Sequence, residues 1–232
     1  VYKSYKPDKQ HILGFTNKKK PVSPRGAVAC LVVEDNKMFK GRLISPYQHE
    51  GVKWLVDRET CADDYKGGFL CDEMGLGKTV QMLATMSANL VQKTLIVAPK
   101  SVAPQWADEI QKFTPNFGVR KWDSGSKDLP MFLRPTVVVA TYSALIQRKG
   151  KPPSPLLSVK WDRIVMDEGH EIRNRKTSTY QAAIQLRAPI RWILTGTPIF
   201  NSLKDFIALG TFVGFNKLAM ETNHTRYREK YV

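Results

Sequence analysis

Five short runs of this chain, at 68–72, 94–98, 136–140, 163–167 and 191–195, are nearly all apolar and several are rich in β-branched residues. A strand with one wet face alternates apolar and polar residues; these runs do not, so each must be covered on both faces. Between them lie stretches with helical spacing at 47–57, 79–91, 104–112, 142–147 and 177–187. Strand and helix in alternation predict an α/β fold: a parallel sheet with helices on both faces. The polar motifs follow the C-terminal ends of the runs, where sheets of this kind place ligands.

The first of these motifs is Gly75-Leu76-Gly77-Lys78-Thr79. Glycines let backbone N–H groups turn inward at a helix N-terminus, whose dipole favours anions. Lys78 would then reach the β- and γ-phosphates, and the Thr79 hydroxyl would coordinate magnesium. The strict phosphate-loop pattern has glycine where this chain has Asp72. The second motif, Val165-Met166-Asp167-Glu168-Gly169-His170, ends an apolar strand in two acids. Asp167 is expected to hold magnesium through water, and Glu168 to orient and deprotonate the attacking water. The third, Leu194-Thr195-Gly196-Thr197-Pro198, offers hydroxyls that can bond a neighbouring acid or histidine.

The charge balance points to a polyanionic partner. Lys and Arg number 36 against 21 Asp and Glu, a net charge of +15, and nucleic acid is the commonest partner for such a field. Residues 1–42 hold ten basic and three acidic residues, so +7 of the excess lies there. Prolines at 7, 21 and 24 argue against regular structure in the first part of that segment. The apolar run 27–33 and residues 38–44 fit either a hairpin or a short helix. The run Asn17-Lys18-Lys19-Lys20-Pro21 reads equally as an import signal, a phosphate-binding arm or a solvated charge run. Cys30, Cys61 and Cys71 are widely spaced with no C-x-x-C, against a disulfide framework or cysteine zinc site and in keeping with a reducing compartment. No run reaches the ~18 apolar residues of a membrane span, and the N-terminus lacks the shape of a signal peptide. An intracellular, soluble protein is expected. Met82 and Met86, and Trp54, Trp122, Trp161 and Trp192, are expected to pack in the core.

The ordered set Pro46-Tyr47-Gln48, Asp72 to Thr79, Ala98-Pro99-Lys100-Ser101 with Trp106, Ala140-Thr141-Tyr142, Asp167 to His170 and Leu194 to Pro198 resembles superfamily 2 helicases. It is most similar to the Swi/Snf-type chromatin-remodelling and DNA-translocase branch, which has D-x-M-G-L-G-K-T with Asp at the first position. Ile172-Arg173-Asn174, and Pro198-Ile199 with Asn201, look like the same branch. The resemblance covers about residues 43–209. It implies a first RecA-like, ATP-binding lobe over 43–232, preceded by a basic N-terminal extension over 1–42.

The same resemblance implies ATP and Mg2+ as cofactors. The nucleotide would be held by Gln48, Asp72, Met74, Gly75, Leu76, Gly77, Lys78 and Thr79, with Gln48 reading the adenine edge. Lys78, Asp167 and Glu168 would carry the chemistry, Thr79 and Asp167 the metal, and His170, Thr195 and Thr197 the coupling. Lys100, Ser101, Thr141 and Tyr142 would line a DNA-backbone track. Duplex DNA, nucleosomes and a second RecA-like lobe are the implied partners, in the nucleus. After Pro198 only 34 residues follow, too few for that second lobe and its arginine finger, so the chain is expected to be part of a longer motor.

Gly169 stands where the commoner D-E-A-H form has alanine, a small-for-small exchange expected to be tolerated. D-E-G-H occurs in the branch related to Rad-type post-replication repair translocases, and compact viral members such as baculovirus global transactivators are similar too. The expected function is a DNA-dependent ATPase and duplex translocase in transcription or repair; the alternative is a DNA-binding transcriptional regulator without productive turnover.

Overall fold

The computed structural model describes residues 38–62, 66–123, 126, 128–147, 149–196 and 203–215. The runs 17–21 and 27–33, and Thr197, fall outside them. Helix α1 (Pro46–Thr60) leads into strand β1 (Lys66–Leu70), followed by α2 (Lys78–Ala88), β2 (Lys93–Ala98), α3 (Ala103–Phe113) and β3 (Gly118–Trp122). Then come β4 (Thr136–Thr141), α4 (Tyr142–Leu145), β5 (Arg163–Asp167), α5 (Ser178–Ala183), β6 (Ile190–Leu194) and α6 (Leu203–Val213), with 3-10 turns at Pro155–Leu157 and Gly169–Ile172. Among the described residues six strands form one sheet in the order β1-β6-β5-β2-β4-β3, and their pairings are all parallel.

The central strands feed two cores at once, as their unbroken apolar runs require. Ile96 and Ala98 of β2 pack with Leu55, Leu83, Met86, Trp106 and Ile110 from α1, α2 and α3. Leu95 and Val97 of the same strand face Leu145, Tyr180, Ala183, Leu209 and Phe212 on the opposite side. Met82, Trp161 and Trp192 are completely buried, and half-buried Trp54 meets the Trp192 ring edge-on at 5.5 Å. Among the described residues no helix is long and apolar enough to cross a membrane.

Three local differences from the sequence reading have physical causes. Strand β3 carries Arg120 and Lys121 and lies at the sheet edge, where one side is wet, so it has no apolar run to announce it. Residues 38–44 form neither strand nor helix. Instead the Lys40 N–H donates to Phe113 O (2.7 Å), the Phe39 ring lies 6.2 Å from that of Phe113, and Leu43 is buried, so the segment clamps the end of α3. The stretch 142–147 makes a single helical turn because Ile146 is already extended.

At the sheet's other end, a buried carboxylate binds three layers together. Glu59 Oε1 accepts from Arg163 Nε (2.7 Å) and Trp192 Nε1 (2.8 Å). Its Oε2 accepts from Asn89 Nδ2 (2.7 Å) and Arg163 Nη2, which also donates to Asn89 O (2.7 Å). The Arg163 and Glu59 side chains are 1% and 0% exposed. Such a pair is worth little relative to an apolar replacement, but removing one partner strands the other charge at a cost of about 3–5 kcal/mol. Glu59→Ala is therefore expected to lower the urea midpoint by an amount equivalent to about 3–5 kcal/mol with an unchanged slope; a loss below about 1 kcal/mol would contradict this account.

Candidate nucleotide site

Strand register builds the site. Leu194 of β6 pairs with Leu70 of β1 on one side and with Asp167 of β5 on the other. Neighbouring strands lie ~4.8 Å apart, so the loop after β1, the acids ending β5 and the turn after β6 leave the sheet at one level. The Thr195 N–H donates to Leu70 O (3.1 Å), and a Cβ built on Gly196 would lie 3.5 Å from Met74 Cγ. Loop and turn are in contact.

The loop itself is curled around its own lysine. Gly75 and Gly77 take left-handed φ of 85° and 80°, which a side chain would strain. Lys78 Nζ donates to Asp72 O (2.7 Å) and Glu73 O (3.2 Å). Asp72 does not have positive φ, so nothing in the backbone demands glycine there. Its carboxylate instead accepts from Gln81 Nε2 (2.7 Å), fastening the loop to α2. Gln81 in turn fits because α1 has Gly51, where a Cβ would fall 2.1 Å from Gln81 Oε1. Gln48, also buried, donates through Nε2 to Leu76 O (3.2 Å) and accepts the Ile44 N–H at Oε1 (2.8 Å). A primary amide has two N–H groups and two carbonyl lone pairs, so one of each remains. Tyr47 adds a hydroxyl donation to Leu76 O (3.1 Å), while Met74 and Leu76 are exposed.

Asp167 is held from three directions. Trp106 Nε1 donates to Oδ2 (2.7 Å), the Glu168 N–H to Oδ1 (3.0 Å), and the Tyr142 hydroxyl to the backbone oxygen (2.7 Å). Burial raises the Asp167 carboxyl above the usual range, while the Trp106 and Glu168 hydrogen bonds and the charge of Lys78 oppose the rise. Glu168 follows at φ 48°, the single non-glycine residue with positive φ among those described; such strain costs ~1–3 kcal/mol and clusters at functional sites. Its Oε2 lies 3.2 Å from His170 Nδ1.

Two expectations need correction. Tyr142 is buried, and its hydroxyl is spent on Asp167 O; that side chain supports the acid strand and does not reach a DNA track. Burial and the nearby acids push its ionisation well above the usual tyrosine range, so it remains a neutral donor. Gly169 is not freely exchangeable with alanine, because a Cβ there would fall 2.4 Å from Cγ2 of buried Ile193 in β6. The other track candidates share one rim: Lys100 and Ser101 are exposed beyond β2, and half-buried Thr141, its hydroxyl 3.0 Å from that of Ser143, ends β4. Thr195 is fully buried below the loop.

Sequence reasoning gave no site role to Gln81, Tyr47 or Trp106. A glutamine set within the apolar run of the helix after the loop was the legible signal for the first. For Trp106 the signal was an indole donor near the start of the helix that follows β2.

A six-stranded, all-parallel sheet with a glycine-lysine loop at β1 and adjacent acids at β5 defines the RecA-like class of P-loop nucleotide-binding lobes. Within that class the model of the SNF2-related domain matches residues 47–230, and the chain belongs to that family. "DNA excision repair protein ERCC-6-like" of Danio rerio is 35% identical over 216 residues, covering 84% of this chain and 15% of the relative. "DNA repair protein RAD5" of Kluyveromyces lactis is 33% identical, over 78% of this chain and 20% of that protein. Among solved structures, the "Sulfolobus solfataricus SWI2/SNF2 ATPase core in complex with dsDNA" matches 81% of this chain and 40% of its own at a TM-score of 0.67 and 27% identity. The chain thus spans a minor part of the relatives it matches.

Two outcomes follow from this packing. Gly169→Ala is expected to cost about 1–3 kcal/mol through overpacking, and in a double-mutant cycle Ile193→Ala should recover part of that loss; strict additivity would refute the contact. The Cys71 thiol, beside the loop, is pushed up to about 12 by burial and by Asp72, against the pull of Lys78. It should therefore resist iodoacetamide at about pH 8, and rapid Cys71 labelling by mass spectrometry would count against the placement.

Proposed function

We propose that this chain is the ATP-binding lobe of a DNA-dependent ATPase that moves along duplex DNA without separating its strands, in transcription or DNA repair in the nucleus. The observation that carries this reading is the shared level of Leu70, Leu194 and Asp167 in three adjacent strands, which sets loop, acids and threonine turn side by side. Family membership and the printed names of the relatives support a DNA substrate, as does the duplex in the structural neighbour. The +15 charge supports it independently.

The residues fit a magnesium nucleotide. Left-handed glycines turn loop N–H groups toward an anion, and the Lys78 ammonium rests on two neutral carbonyls that a phosphate would displace. Asp167 spends two of a carboxylate's roughly four acceptor positions; with the Thr79 hydroxyl it would hold the hydrated cation. Magnesium, when bound, neutralises charge on the phosphates. Glu168 orients and deprotonates the attacking water. Gln48 offers adenine its remaining N–H and lone pair, and Asp72, Met74, Gly75, Leu76 and Gly77 complete the nucleotide contacts. His170, Thr195 and Thr197 serve as coupling residues, the threonine hydroxyls reporting the γ-phosphate through a bond to a neighbouring acid or histidine. Lys100, Ser101 and Thr141 take the DNA backbone, where phosphate contacts position without reading sequence.

Residues 43–232 form the lobe in this reading, and the basic segment 1–42 adds affinity for phosphates. A second lobe in the longer protein contributes an arginine worth ~10³–10⁵ in rate. Lys78→Ala should abolish binding of a fluorescent ATP analogue while the fold survives. Glu168→Gln should keep binding and slow DNA-stimulated hydrolysis by the longer protein about 10²–10⁴-fold. A protein whose biological activity survives both changes is a binding regulator, and the proposal then fails.

A further inference from the structure

Trp106 and Tyr142 each follow closely on a candidate DNA-contacting segment, and both end on Asp167. The exposed pair Lys100-Ser101 is joined rigidly to α3, because Pro99 O accepts the N–H groups of Val102 and Ala103 (both 2.9 Å) and Val102 O accepts that of Trp106 (3.1 Å). The Trp106 indole, 1% exposed, then reaches Asp167 Oδ2 at 2.7 Å. On the neighbouring strand Thr141 reaches solvent and the next residue, Tyr142, turns inward to Asp167 O at 2.7 Å. The two segments are adjacent, since Ala98 pairs with Thr141, and β2 also pairs with β5. The two rings lie in opposite cores of the sheet, so the acid is gripped from both faces.

A buried indole or phenol needs an acceptor, and core demand alone is met by any carbonyl. Trp161 does this, donating to Leu156 O at 3.0 Å far from the acids. Trp106 and Tyr142 instead both use acceptors of one residue, and each is rooted in a surface segment carrying ammonium or hydroxyl groups. Packed interiors are stiff and transmit strain, so these two side chains give a shift of either segment on a phosphate backbone a direct route to Asp167.

We infer that Trp106 and Tyr142 are positioning residues that couple DNA contact at Lys100, Ser101 and Thr141 to the magnesium-nucleotide site through Asp167. The inference rests on the functional reading above.

The test is a thermodynamic cycle on this chain. The dissociation constant of a fluorescent ADP analogue with Mg2+ is measured with and without a short DNA duplex, and their ratio is the coupling factor, for which values of about 5–150 are typical. Trp106→Phe and Tyr142→Phe should each lower that factor about five- to ten-fold, or to one where it starts smaller. DNA affinity of the nucleotide-free protein should stay as in wild type, and chelating Mg2+ should bring the wild-type factor close to one. Trp161→Phe, which also loses a buried indole hydrogen bond, should leave the factor intact. Unchanged coupling in both Asp167-facing variants, an equal drop in Trp161→Phe, or a wild-type factor of one with both ligands bound would overturn the inference alone. A wild-type chain that binds no magnesium nucleotide would overturn the functional reading with it.

Discussion

The lobe is organised around one buried carboxylate. Glu59 accepts four hydrogen bonds, from Arg163 of β5 (two), from Trp192 of β6 and from Asn89 just past α2. It thereby pins the C-terminal end of α1 to two strands and to the helix that follows the phosphate loop. At 1.5 Å per residue, Gln48 lies ~16 Å up the same helix, where its amide meets Leu76 O and sits against Gly77. Helix α1 is thus a strut, anchored on the strands at one end and touching the loop at the other. Strands β5 and β6 complete the frame, since their opposite ends carry Asp167, Glu168 and Thr195.

A second chain of contacts sets the loop's own shape. Asp72 leans on Gln81, and Gln81 occupies the space that Gly51 leaves open. The aspartate that departs from the strict glycine pattern therefore has a mechanical reason: its backbone needs no left-handed φ and its carboxylate has a donor waiting in the helix below. The left-handed backbone of Glu168 turns the chain abruptly after the acid strand.

Much of this was legible in the residues. The runs at 94–98, 136–140 and 163–167 became central strands because apolar residues on both faces permit no other placement. Charged β3 escaped notice for the converse reason, an edge strand being half solvated. Tyr142 was misplaced by one residue's worth of direction: Thr141 and Tyr142 are consecutive, but one side chain reaches solvent while the other turns under the sheet. Gly169 looked exchangeable because its neighbour Ile193 lies 24 positions away in the chain and against it in space.

The sequence by itself determined the kind of sheet, the identity of the loop and acids, and their attachment to strand ends, because periodicity and glycine-lysine patterning are local properties. Only the tertiary structure decided the strand order that puts β6 between β1 and β5, and hence which motifs meet. It also decided the inward partners: Glu59 with Arg163, Asp72 with Gln81, and Trp106 and Tyr142 with Asp167. A buried donor takes whatever acceptor packing brings to it, and that is settled by register and helix placement across distances no local pattern spans.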